Sequence, residues 1–563
     1  MSNKPTDITH PANLQSHDLG TGPVRQFHPI YKDFLPPCNN ACPAGENIQS
    51  WLDLSQAERY EDAWNRLLED NPMPAVHGRV CYHPCETSCN RVNVDGAVSI
   101  HAVERFLGDL AFENGWKPKI IGEKSNKQVL IVGGGSSGLS AAYHLARLGH
   151  QVEIRDAGPI AGGMMHFGIP SYRLPRDILA AEVKRIEDMG VKITLNHKVE
   201  NLKTEKEEGN FDAVFVAVGA HIGRSVEIPI NINSDTLDAV TFLRDIGMGN
   251  TPKIGKRVAI YGGGNTAMDC CRSSLRLGAE DVKVIVRSPF EDMKASEWEI
   301  EDAMEERIPI IDNHVPKKFL LKKGKLVGME FEKVKPEYDK NGKRSLIPTG
   351  EKPIIMECDD VLVAIGQYNA YEWIERDIGI EFGEWDMPVV DKITFQSTHE
   401  KIFFGGDAAW GPENIIWAVA HGHQAAISID KLCKDEDLTN RPDPMTNLVS
   451  QKMGVHEWSY DNDISQDKRF LVPHADQKVS LKNLKVEVEL GYDEKLAFEE
   501  AQRCLNCDVQ TVFTESKCIE CDACVDICPT DTINFIANDS EEELRKKLRI
   551  PATNKDQDLL VSE

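Results

Sequence analysis

The sequence predicts an α/β protein with two Rossmann-like dinucleotide-binding domains, a helical N-terminal domain and a small cysteine-rich C-terminal segment. Three observations lead to this class. From Gln128 onward, strand-like apolar runs alternate with helical segments, a pattern typical of a parallel sheet with crossover helices. Two of these strands lead into glycine-rich turns. Eleven of the 15 cysteines lie in two groups towards the ends of the chain.

Length and charge narrow the class of function. The chain has 563 residues, enough for several domains, and a formal net charge of −26. This acidity argues against nucleic acid or an anionic membrane as partner, because both attract clustered cations. No apolar run is long enough to cross a bilayer, and the N-terminus does not read as a secretory signal. We therefore expect a cytoplasmic protein whose cysteines bind metal instead of forming disulfides.

The N-terminal and C-terminal segments frame the two dinucleotide domains. Apolar residues recur at helical spacing in "AERYEDAWNRLLED", which predicts helices in the N-terminal domain. The expected boundaries are a tail at 1–35, a helical domain at 36–124, a first dinucleotide domain at 125–225 and 359–435, a second at 226–358, a connecting segment at 436–500, a cysteine-rich segment at 501–540 and a tail at 541–563.

The first glycine-rich turn, in "VLIVGGGSSGLSAA", has Gly133, Gly135 and Gly138 in G-x-G-x-x-G spacing between a predicted strand and a predicted helix. These glycines permit a tight turn, close approach of a pyrophosphate and close packing of helix on strand. The next strand ends at Asp156, where a carboxylate can accept the ribose hydroxyls. The alternative is an ordinary glycine-rich turn, which the strand, helix and acid together disfavour.

The second turn has Gly262, Gly264 and Ala267 at the same spacing. The strand that follows it ends in Arg287, and not in an acid. An arginine can pair with a 2′-phosphate, so we expect NADP in preference to NAD. The alternative is a solvated arginine at the end of a strand.

The C-terminal run "CIECDACVDICP" has the C-x2-C-x2-C-x3-C-P spacing of bacterial ferredoxins, which predicts a [4Fe-4S] site. Structural zinc is the alternative, because paired C-x2-C motifs also bind zinc. The four cysteines of this run are Cys518, Cys521, Cys524 and Cys528. Four others, in apolar or isolated settings, are expected to pack in the interior: Cys270, Cys271, Cys358 and Cys433.

Two dinucleotide turns in one chain are the plan of a two-dinucleotide flavoprotein reductase. The segment "KIFFGGDAAWGPENIIWAVAHGHQAA" resembles the motif that closes the flavin site of that superfamily. Two further segments, "GGMMHFGIPSYRLPRDIL" and "GGGNTAMDCCRSSLRLGA", resemble the small subunit of NADPH-dependent glutamate synthase and the equivalent half of dihydropyrimidine dehydrogenase. "HGRVCYHPCETSC" is similar to another motif of this family, with Tyr82 where proline is usual.

The resemblance, which runs from about residue 36 to residue 435, implies both dinucleotides. It implies FAD at Gly133, Gly135, Ser136, Ser137, Gly138, Asp156, Gly163, Met164, Arg173, Gly406 and Asp407. It implies NADP(H) at Gly262, Gly263, Gly264, Asn265, Thr266, Arg287, Ser288 and Lys294. Ser288 replaces a second basic residue that is common at its position.

The resemblance also implies two N-terminal [4Fe-4S] clusters, held by seven cysteines and one Glu or Gln. This chain has five of the cysteines and one carboxylate that aligns with the unusual ligand, although such a glutamate by itself is more often a solvated helix residue. The matching residues are Cys38, Cys42, Cys81, Cys85, Cys89 and Glu104. If Cys42, Cys81, Cys85 and Glu104 hold one cluster, Cys38 and Cys89 are two ligands short of a second.

The pair in "QRCLNC" has the form of the two missing cysteines, displaced to the far end of the chain. We expect Cys504 and Cys507 to fold back and complete the cluster begun by Cys38 and Cys89. The twelve ligands then suffice for three clusters. The partition stays open, because in two-cluster ferredoxins the cysteine before proline ligates the other cluster, and Cys528 could do so here.

Three functions compete at this level. The first is an electron-transfer subunit that exchanges electrons between NADP(H) and a ferredoxin, or a low-potential partner such as a 2-oxoacid:ferredoxin oxidoreductase. The second is the small subunit of a glutamate synthase, which the resemblance does not supply with a ferredoxin-like segment. The third is an assembly scaffold with relic sites, against which the intact glycines and acids argue. No catalytic acid–base pair is expected beyond the cofactors.

Overall fold

The computed structural model describes residues 24–32, 34–226, 236–340, 342, 344–441, 465–507, 525, 532–546 and 559–561. The chain divides into two compact units. The smaller comprises Met1–Pro36, Met445–Asp461 and Cys507–Glu563, and the larger comprises Pro37–Pro444 and Asn462–Asn506. None of the described helices combines the length and apolarity that a membrane crossing requires.

The chain begins with β1 (Val24–Arg25) and β2 (Phe27–Tyr31), and a group of short helices follows. These are α1 (Pro37–Ala41), α2 (Ile48–Gln56), α3 (Tyr60–Leu67), α4 (Pro74–Val80), α5 (Pro84–Thr87) and α6 (Ile100–Asn114). The helical spacing expected in α3 puts Ala63, Trp64 and Leu67 on one face, and all three are buried. Trp51 of α2 is also fully buried, so the helices share one apolar core.

The first dinucleotide fold is a parallel sheet in the order β18-β6-β3-β4-β5. Its first part comprises β3 (Gln128–Val132), α7 (Ser136–Arg147), β4 (Gln151–Arg155), α8 (Met164–Phe167), α9 (Arg176–Asp188), β5 (Lys192–Thr194), α10 (Leu202–Glu208), β6 (Ala213–Val216) and β7 (Ile222–Gly223). The continuous burial of β3 and β6 is typical of parallel strands covered on both faces.

The second dinucleotide fold is a parallel sheet in the order β11-β10-β9-β16-β8. It comprises β8 (Thr236–Asp238), α11 (Ala239–Gly247), β9 (Arg257–Tyr261), α12 (Asn265–Arg276), β10 (Asp281–Ile285), α13 (Glu297–Glu305), β11 (Ile310–Ile311) and β16 (Asp360–Val363). Between β11 and β16 the chain forms a small antiparallel sheet of β12 (His314–Lys322), β13 (Lys325–Tyr338), β14 (Arg344–Pro348) and β15 (Ile354–Met356).

The chain then returns to the first sheet. Strand β17 (Gln367–Tyr368) pairs antiparallel with β7, and β18 (Ile402–Phe404) pairs parallel with β6. Two helices follow, α14 (Asp407–Trp410) and α15 (Ile415–Cys433). Helix α15 packs on α7, where the Ser140 hydroxyl donates to the Val419 carbonyl at 2.8 Å. The two parallel sheets confirm the predicted fold class.

Residues 465–506 belong to the larger unit, with α16 (Gln477–Ser480) and α17 (Glu494–Ala501). Helix α17 runs across residue 500, where the sequence suggested a boundary. It is held there because the fully buried Glu500 carboxylate accepts the Ser99 amide at 2.7 Å and the Phe470 amide at 3.0 Å. This segment therefore packs with the N-terminal helices and is more than a connection over the surface.

Among its described residues, the smaller unit contains two short strand pairs. Strand β19 (Ile533–Ala537) pairs antiparallel with β2, and β20 (Leu560–Val561) pairs parallel with β1. Helix α18 (Glu541–Lys546) lies between β19 and β20 in the chain. These pairings join the first described residues of the chain to its last.

Candidate functional site

The two glycine-rich turns have the same backbone geometry. Gly133 has φ +107°, and a Cβ there would lie 2.4 Å from the Ala217 carbonyl oxygen. Gly262 has φ +149°, and a Cβ there would lie 2.1 Å from the Ala364 carbonyl oxygen. Only glycine fits such a conformation at such a distance. Each turn thus crosses tightly over the end of the neighbouring strand and starts a helix, as a pyrophosphate site requires.

Asp156 follows β4 and lies directly beside the first turn. Its carboxylate accepts the amide of Gly134 at 2.6 Å and the amide of Gly158 at 2.6 Å. A second loop closes on the same turn, because a Cβ on Gly163 would lie 2.8 Å from the Gly135 Cα. The predicted FAD residues of these three segments therefore meet at one edge of the sheet.

Gly406 and Asp407 complete this group from the returning part of the chain. A Cβ on Gly406 would lie 3.0 Å from the Ser137 Cβ, so this loop lies against the start of α7. The Asp407 carboxylate accepts the Glu413 amide at 3.1 Å, and burial raises the pKa of Asp407 to about 6. The Ser137 hydroxyl is buried and has no hydrogen-bond partner among the described residues. An orphaned polar atom and a glycine cradle fit a bound dinucleotide.

A cavity of about 500 Å³ joins the two dinucleotide sites. From the predicted FAD set it is lined by Ser136, Met164, Arg173 and Asp407. From the predicted NADP set it is lined by Gly264, Asn265, Thr266 and Lys294. The N-terminal domain contributes Val80 and Tyr82, which flank Cys81. Residues of both predicted dinucleotide sites and the two neighbours of Cys81 thus face one space.

Arg173 spans the two dinucleotide folds. Its guanidinium donates to the Asp269 carboxylate of α12 at 2.9 Å and also pairs with Glu299 of α13. Burial alone would lower the pKa of Arg173, but the charges of Asp269 and Glu299 hold it above its usual value. The residue lines the cavity while bound to the opposite domain, a contact that the sequence pattern did not indicate.

The second turn opens towards solvent. A Cβ on Gly264 would meet no atom of the described residues within 4 Å, which leaves space at the start of α12. The Asn265 side chain accepts the Ser296 amide at 2.8 Å, and the Lys294 amide donates to the Gly263 carbonyl at 3.0 Å. These bonds hold the loop that carries Lys294 against the turn.

Arg287, at the end of β10, is exposed and lines a second cavity of about 900 Å³. Arg224, Tyr261 and Trp410 line the same cavity. Ser288 is half-buried, and its carbonyl accepts the Asn313 amide at 3.2 Å. The arginine predicted to pair with a 2′-phosphate therefore faces open space large enough for a ligand.

Cys42, Cys81, Cys85 and Glu104 are buried together. Burial raises the pKa of Cys42, and the neighbouring charges of Glu46 and then Cys81 raise it further. Burial and then the Glu104 carboxylate raise the pKa of Cys81, and burial raises that of Cys85, with contributions from Cys42 and Cys81. Thiolates crowded into an apolar core require a cation to compensate them, so this donor set fits a metal cluster.

A second buried carboxylate, Glu46, lies beside the same cysteines. The Asn71 amide group donates to Glu46 at 3.0 Å and to Glu104 at 2.7 Å. Burial raises the pKa of Glu46 to about 7. Sequence reasoning missed this residue. Glu46 lies in the loop between α1 and α2, so no helical spacing in the sequence indicated that it would lie beside the cysteines.

The residues around Cys504 are bound to the N-terminal helices. The Gln56 side chain donates to the Ala501 carbonyl at 2.9 Å and to the Cys504 carbonyl at 3.3 Å. Arg503 is fully buried and donates to the Ala97 carbonyl at 3.1 Å and to Asp95 at 3.0 Å. Cys504 and Cys89 both pack against the core that contains the buried Cys38. The structure thus brings the C-terminal end of the larger unit to the helical N-terminal domain.

Of the remaining predicted cluster ligands, the structure describes one. Cys507 is half-buried and belongs to the smaller unit. Cys518, Cys521, Cys524 and Cys528 lie outside the described residues. The four cysteines expected to pack in the interior are buried or half-buried: Cys270, Cys271, Cys358 and Cys433.

Three family models match this chain. A model described as pyridine nucleotide-disulphide oxidoreductase matches residues 127–422. One for the 4Fe-4S cluster of dihydropyrimidine dehydrogenase domain II matches residues 33–116, and a 4Fe-4S binding domain matches residues 511–534. Together they cover both dinucleotide folds, the five N-terminal cysteines and the four cysteines of the run at 518–528, while Cys504 and Cys507 lie outside the matched ranges.

Curated relatives resemble most of the chain. The beta subunit of NADP(+)-dependent formate dehydrogenase from Moorella thermoacetica is 35% identical, over 85% of this chain and 71% of its own length. The beta subunit of NADPH-Fe(3+) oxidoreductase from Geobacter sulfurreducens is 31% identical, over 89% of this chain and 77% of its own length. The glutamate synthase [NADPH] small chain of Escherichia coli is 32% identical, over 70% and 88%.

Proposed function

Because the chain belongs to the pyridine nucleotide-disulphide oxidoreductase family and is an NADP(H)-dependent FAD and iron–sulfur oxidoreductase, we propose that it is the subunit of a larger complex that exchanges electrons between NADP(H) and a low-potential partner. The organic substrate is handled by the partner chain. No substrate domain is evident in the sequence beyond the two dinucleotide folds.

The cavity of about 500 Å³ carries this proposal. Residues of the FAD set, residues of the NADP set and the residues flanking Cys81 all face it. FAD, when bound, supplies the step between the hydride of a nicotinamide and the single electrons of a cluster. The chain's own residues bring the reactants together, since Arg173 fixes the position of one fold against the other through Asp269 and Glu299.

Each dinucleotide has a proposed set of holding residues. Asp156 and Asp407 accept hydroxyl groups of FAD, and the amides at the start of α7 bind its pyrophosphate. The amides at the start of α12 bind the pyrophosphate of NADP(H), and Arg287 pairs with its 2′-phosphate. Lys294 lines the cavity on the NADP side and contributes a further positive charge there.

Three [4Fe-4S] clusters form the proposed relay. Cys42, Cys81, Cys85 and Glu104 hold the cluster nearest the cavity, because Val80 and Tyr82 beside Cys81 line that cavity. The second set is Cys38, Cys89, Cys504 and Cys507, and the third is Cys518, Cys521, Cys524 and Cys528. The hydrogen bonds from Gln56 to residues 501 and 504 support the second set, because they hold the segment that leads to Cys504 beside the N-terminal helices.

The relay is tested by iron content and by spectroscopy. Three clusters predict about twelve irons per FAD, whereas about eight would contradict the count. The double variant Cys504→Ser with Cys507→Ser should remove one EPR signal of the N-terminal clusters. Cys270→Ser with Cys271→Ser is the matched control, because these buried cysteines belong to α12 and to no proposed cluster. Unchanged N-terminal signals in the first variant would show that the pair does not fold back as a ligand.

The function itself is tested by anaerobic titration of the purified holoprotein with NADPH. We expect the flavin absorption to bleach and cluster EPR signals to rise, with NADH less effective at equal concentration. A flavin that NADPH leaves oxidised would overturn the proposal and favour a scaffold. Copurification from the native source identifies the partner, for which a 2-oxoacid:ferredoxin oxidoreductase, a formate dehydrogenase and a free ferredoxin are the candidates.

A second candidate is the small subunit of a glutamate synthase. The similarity of the Escherichia coli glutamate synthase small chain over 70% of this chain supports it. The additional 4Fe-4S match at residues 511–534 favours the first proposal, because it supplies a further outlet for electrons. Glutamate formation by the copurified complex, dependent on glutamine and 2-oxoglutarate, would decide for the second candidate.

A further inference from the structure

One side of the cofactor cavity is formed by a short segment of the N-terminal domain. Val80 ends α4, Cys81 follows it, and Tyr82 comes next. Val80 and Tyr82 line the cavity, while Cys81 is buried beside Cys42, Cys85 and Glu104. The segment therefore has one face towards the dinucleotides and one face towards the proposed cluster ligands.

The Tyr82 side chain lies beside the charges that join the two dinucleotide folds. Arg173 and Asp269 line the cavity together with Tyr82. The ring is thus placed where residues from all three domains converge.

The backbone on either side of Tyr82 is held in place. Helix α4 precedes it, and the buried His83 follows with a left-handed φ of +48°. The His83 ring stacks on His101 with centroids 4.2 Å apart and on Trp298 of the NADP-side fold with centroids 5.0 Å apart. These contacts fix the backbone that carries Tyr82, and a side chain on a fixed backbone can position a neighbour precisely.

We propose that Tyr82 is a positioning residue that closes the cavity on the side of Cys81 and packs against the ring system bound there. This inference rests on the proposed function. An aromatic ring contributes a large rigid contact area, and it leaves no gap for water between the cavity and the cluster ligands. Tyr82 stands where the resembling motif usually has proline, so the contact is a property of this chain.

The electron balance of the step is simple. Each NADPH loses one hydride and becomes NADP⁺. A flavin held in the cavity would accept that hydride, and clusters held by the Cys81 set would take its two electrons one at a time, while its proton would pass to solvent. Tyr82 is neither oxidised nor reduced in this scheme. Its ring sets the contact across which the electrons pass.

The test compares variants of the holoprotein by anaerobic stopped-flow absorbance with freeze-quench EPR. Tyr82→Leu and Tyr82→Met remove the ring and differ in the space they fill, while Tyr82→Phe keeps the ring and removes the hydroxyl. We expect the appearance of reduced clusters to slow about tenfold or more in the first two, because small displacements of reacting groups cost rate steeply. Tyr82→Phe should restore most of the rate. Tyr338→Leu, at a residue 60% exposed on β13, is the control.

The outcomes separate the inference from the proposed function. A wild-type protein that NADPH does not bleach would defeat the function. A bleached wild type whose Leu and Met variants both reduce their clusters at the wild-type rate would defeat only the inference, as would a Phe variant as slow as Leu. A purely structural defect would lower flavin content in both variants, whereas the proposed role keeps flavin content and shifts the visible flavin spectrum.

Discussion

The two glycine-rich turns differ less in their backbone than in their surroundings. At the first, a carboxylate, Asp156, is bound to the turn amides, and the returning loop of Asp407 covers the start of α7. At the second, Arg287 is exposed beside a cavity of about 900 Å³, and nothing lies near a Cβ built on Gly264. The first turn is enclosed by three segments of chain, whereas the second has the Lys294 loop against it and open space at Gly264.

This difference shows how one glycine-rich turn can serve either a bound cofactor or an exchanging cosubstrate. An enclosed turn suits a cofactor that remains bound through many turnovers. An open turn with an exposed cation suits a cosubstrate that enters and leaves, since its charge can attract the phosphate from solvent. The loops around each turn thus decide whether the site suits a permanently bound cofactor or an exchanging cosubstrate, while the turns themselves are similar.

The largest expected effect comes from removing Arg173, whose ion pairs with Asp269 and Glu299 join the two dinucleotide folds. Arg173→Met leaves Asp269 and Glu299 buried beside an uncharged side chain, and breaking a buried ion pair costs about 3–5 kcal/mol. We expect the largest fall in Tm of the set. Lys256→Ala is the control, because its partner Glu280 is 71% exposed and exposed pairs contribute about 0–1 kcal/mol. Equal falls in Tm would mean that Arg173 does not hold the regions together.

Alanine at the two turn glycines should separate the two sites. Gly133→Ala and Gly262→Ala each strain a left-handed backbone, at a cost of about 1–3 kcal/mol before the clash with a carbonyl oxygen is added. We expect Gly133→Ala to lose bound flavin. Gly262→Ala should keep its flavin, measured by absorbance per chain, but should not be bleached by NADPH.

Gly264→Ala is the matched control for these variants, since its Cβ would meet no neighbour within 4 Å. Its Tm should stay close to that of the wild type, while NADPH binding weakens because the methyl group occupies phosphate space. Loss of flavin from Gly262→Ala would show that the open site is not independent of the enclosed one.

The exposed arginine should control the choice of nicotinamide. Arg287→Ala removes a charge-assisted contact of about 1.5–3 kcal/mol, which corresponds to a rise in KM for NADPH of about tenfold or more. The KM for NADH should not change, because NADH lacks the 2′-phosphate. Ser288→Arg, which adds a positive charge beside Arg287, should lower the KM for NADPH. If both cosubstrates lost affinity equally in Arg287→Ala, the arginine would not bind the 2′-phosphate.

The smallest expected effect is a change in the pH dependence of the enclosed site. The pKa of Asp407 lies at about 6, above its usual 3.8. A carboxyl group with a raised pKa contributes stability that is complete below pH 3.8 and is lost as the pH rises through about 6. In flavin-depleted protein, the Tm of Asp407→Asn minus that of the wild type should therefore grow between pH 4 and 7. A difference that stays flat with pH for Asp407→Asn would contradict the assignment.

Much of the architecture could be predicted from local pattern. The strand, glycine turn and helix at residues 128–147 and 257–276 are specified by neighbours in sequence, so their fold follows from spacing alone. The burial of Trp64 followed from helical periodicity in the same way. The partners of Arg173 and the position of Glu46 beside Glu104 could not be predicted, because each depends on residues that are distant in the chain.

The sequence by itself determined the two dinucleotide folds, the cysteine spacing and the family resemblance, because each of these depends on residues only a few positions apart in the chain. Only the tertiary structure decided which of these motifs face one another. It placed Tyr82 between Cys81 and the dinucleotide residues, and it bound residues 501–504 to Gln56. Such contacts arise from the packing of whole helices and sheets, whose free energy is summed over many distant residues and leaves no local pattern to read.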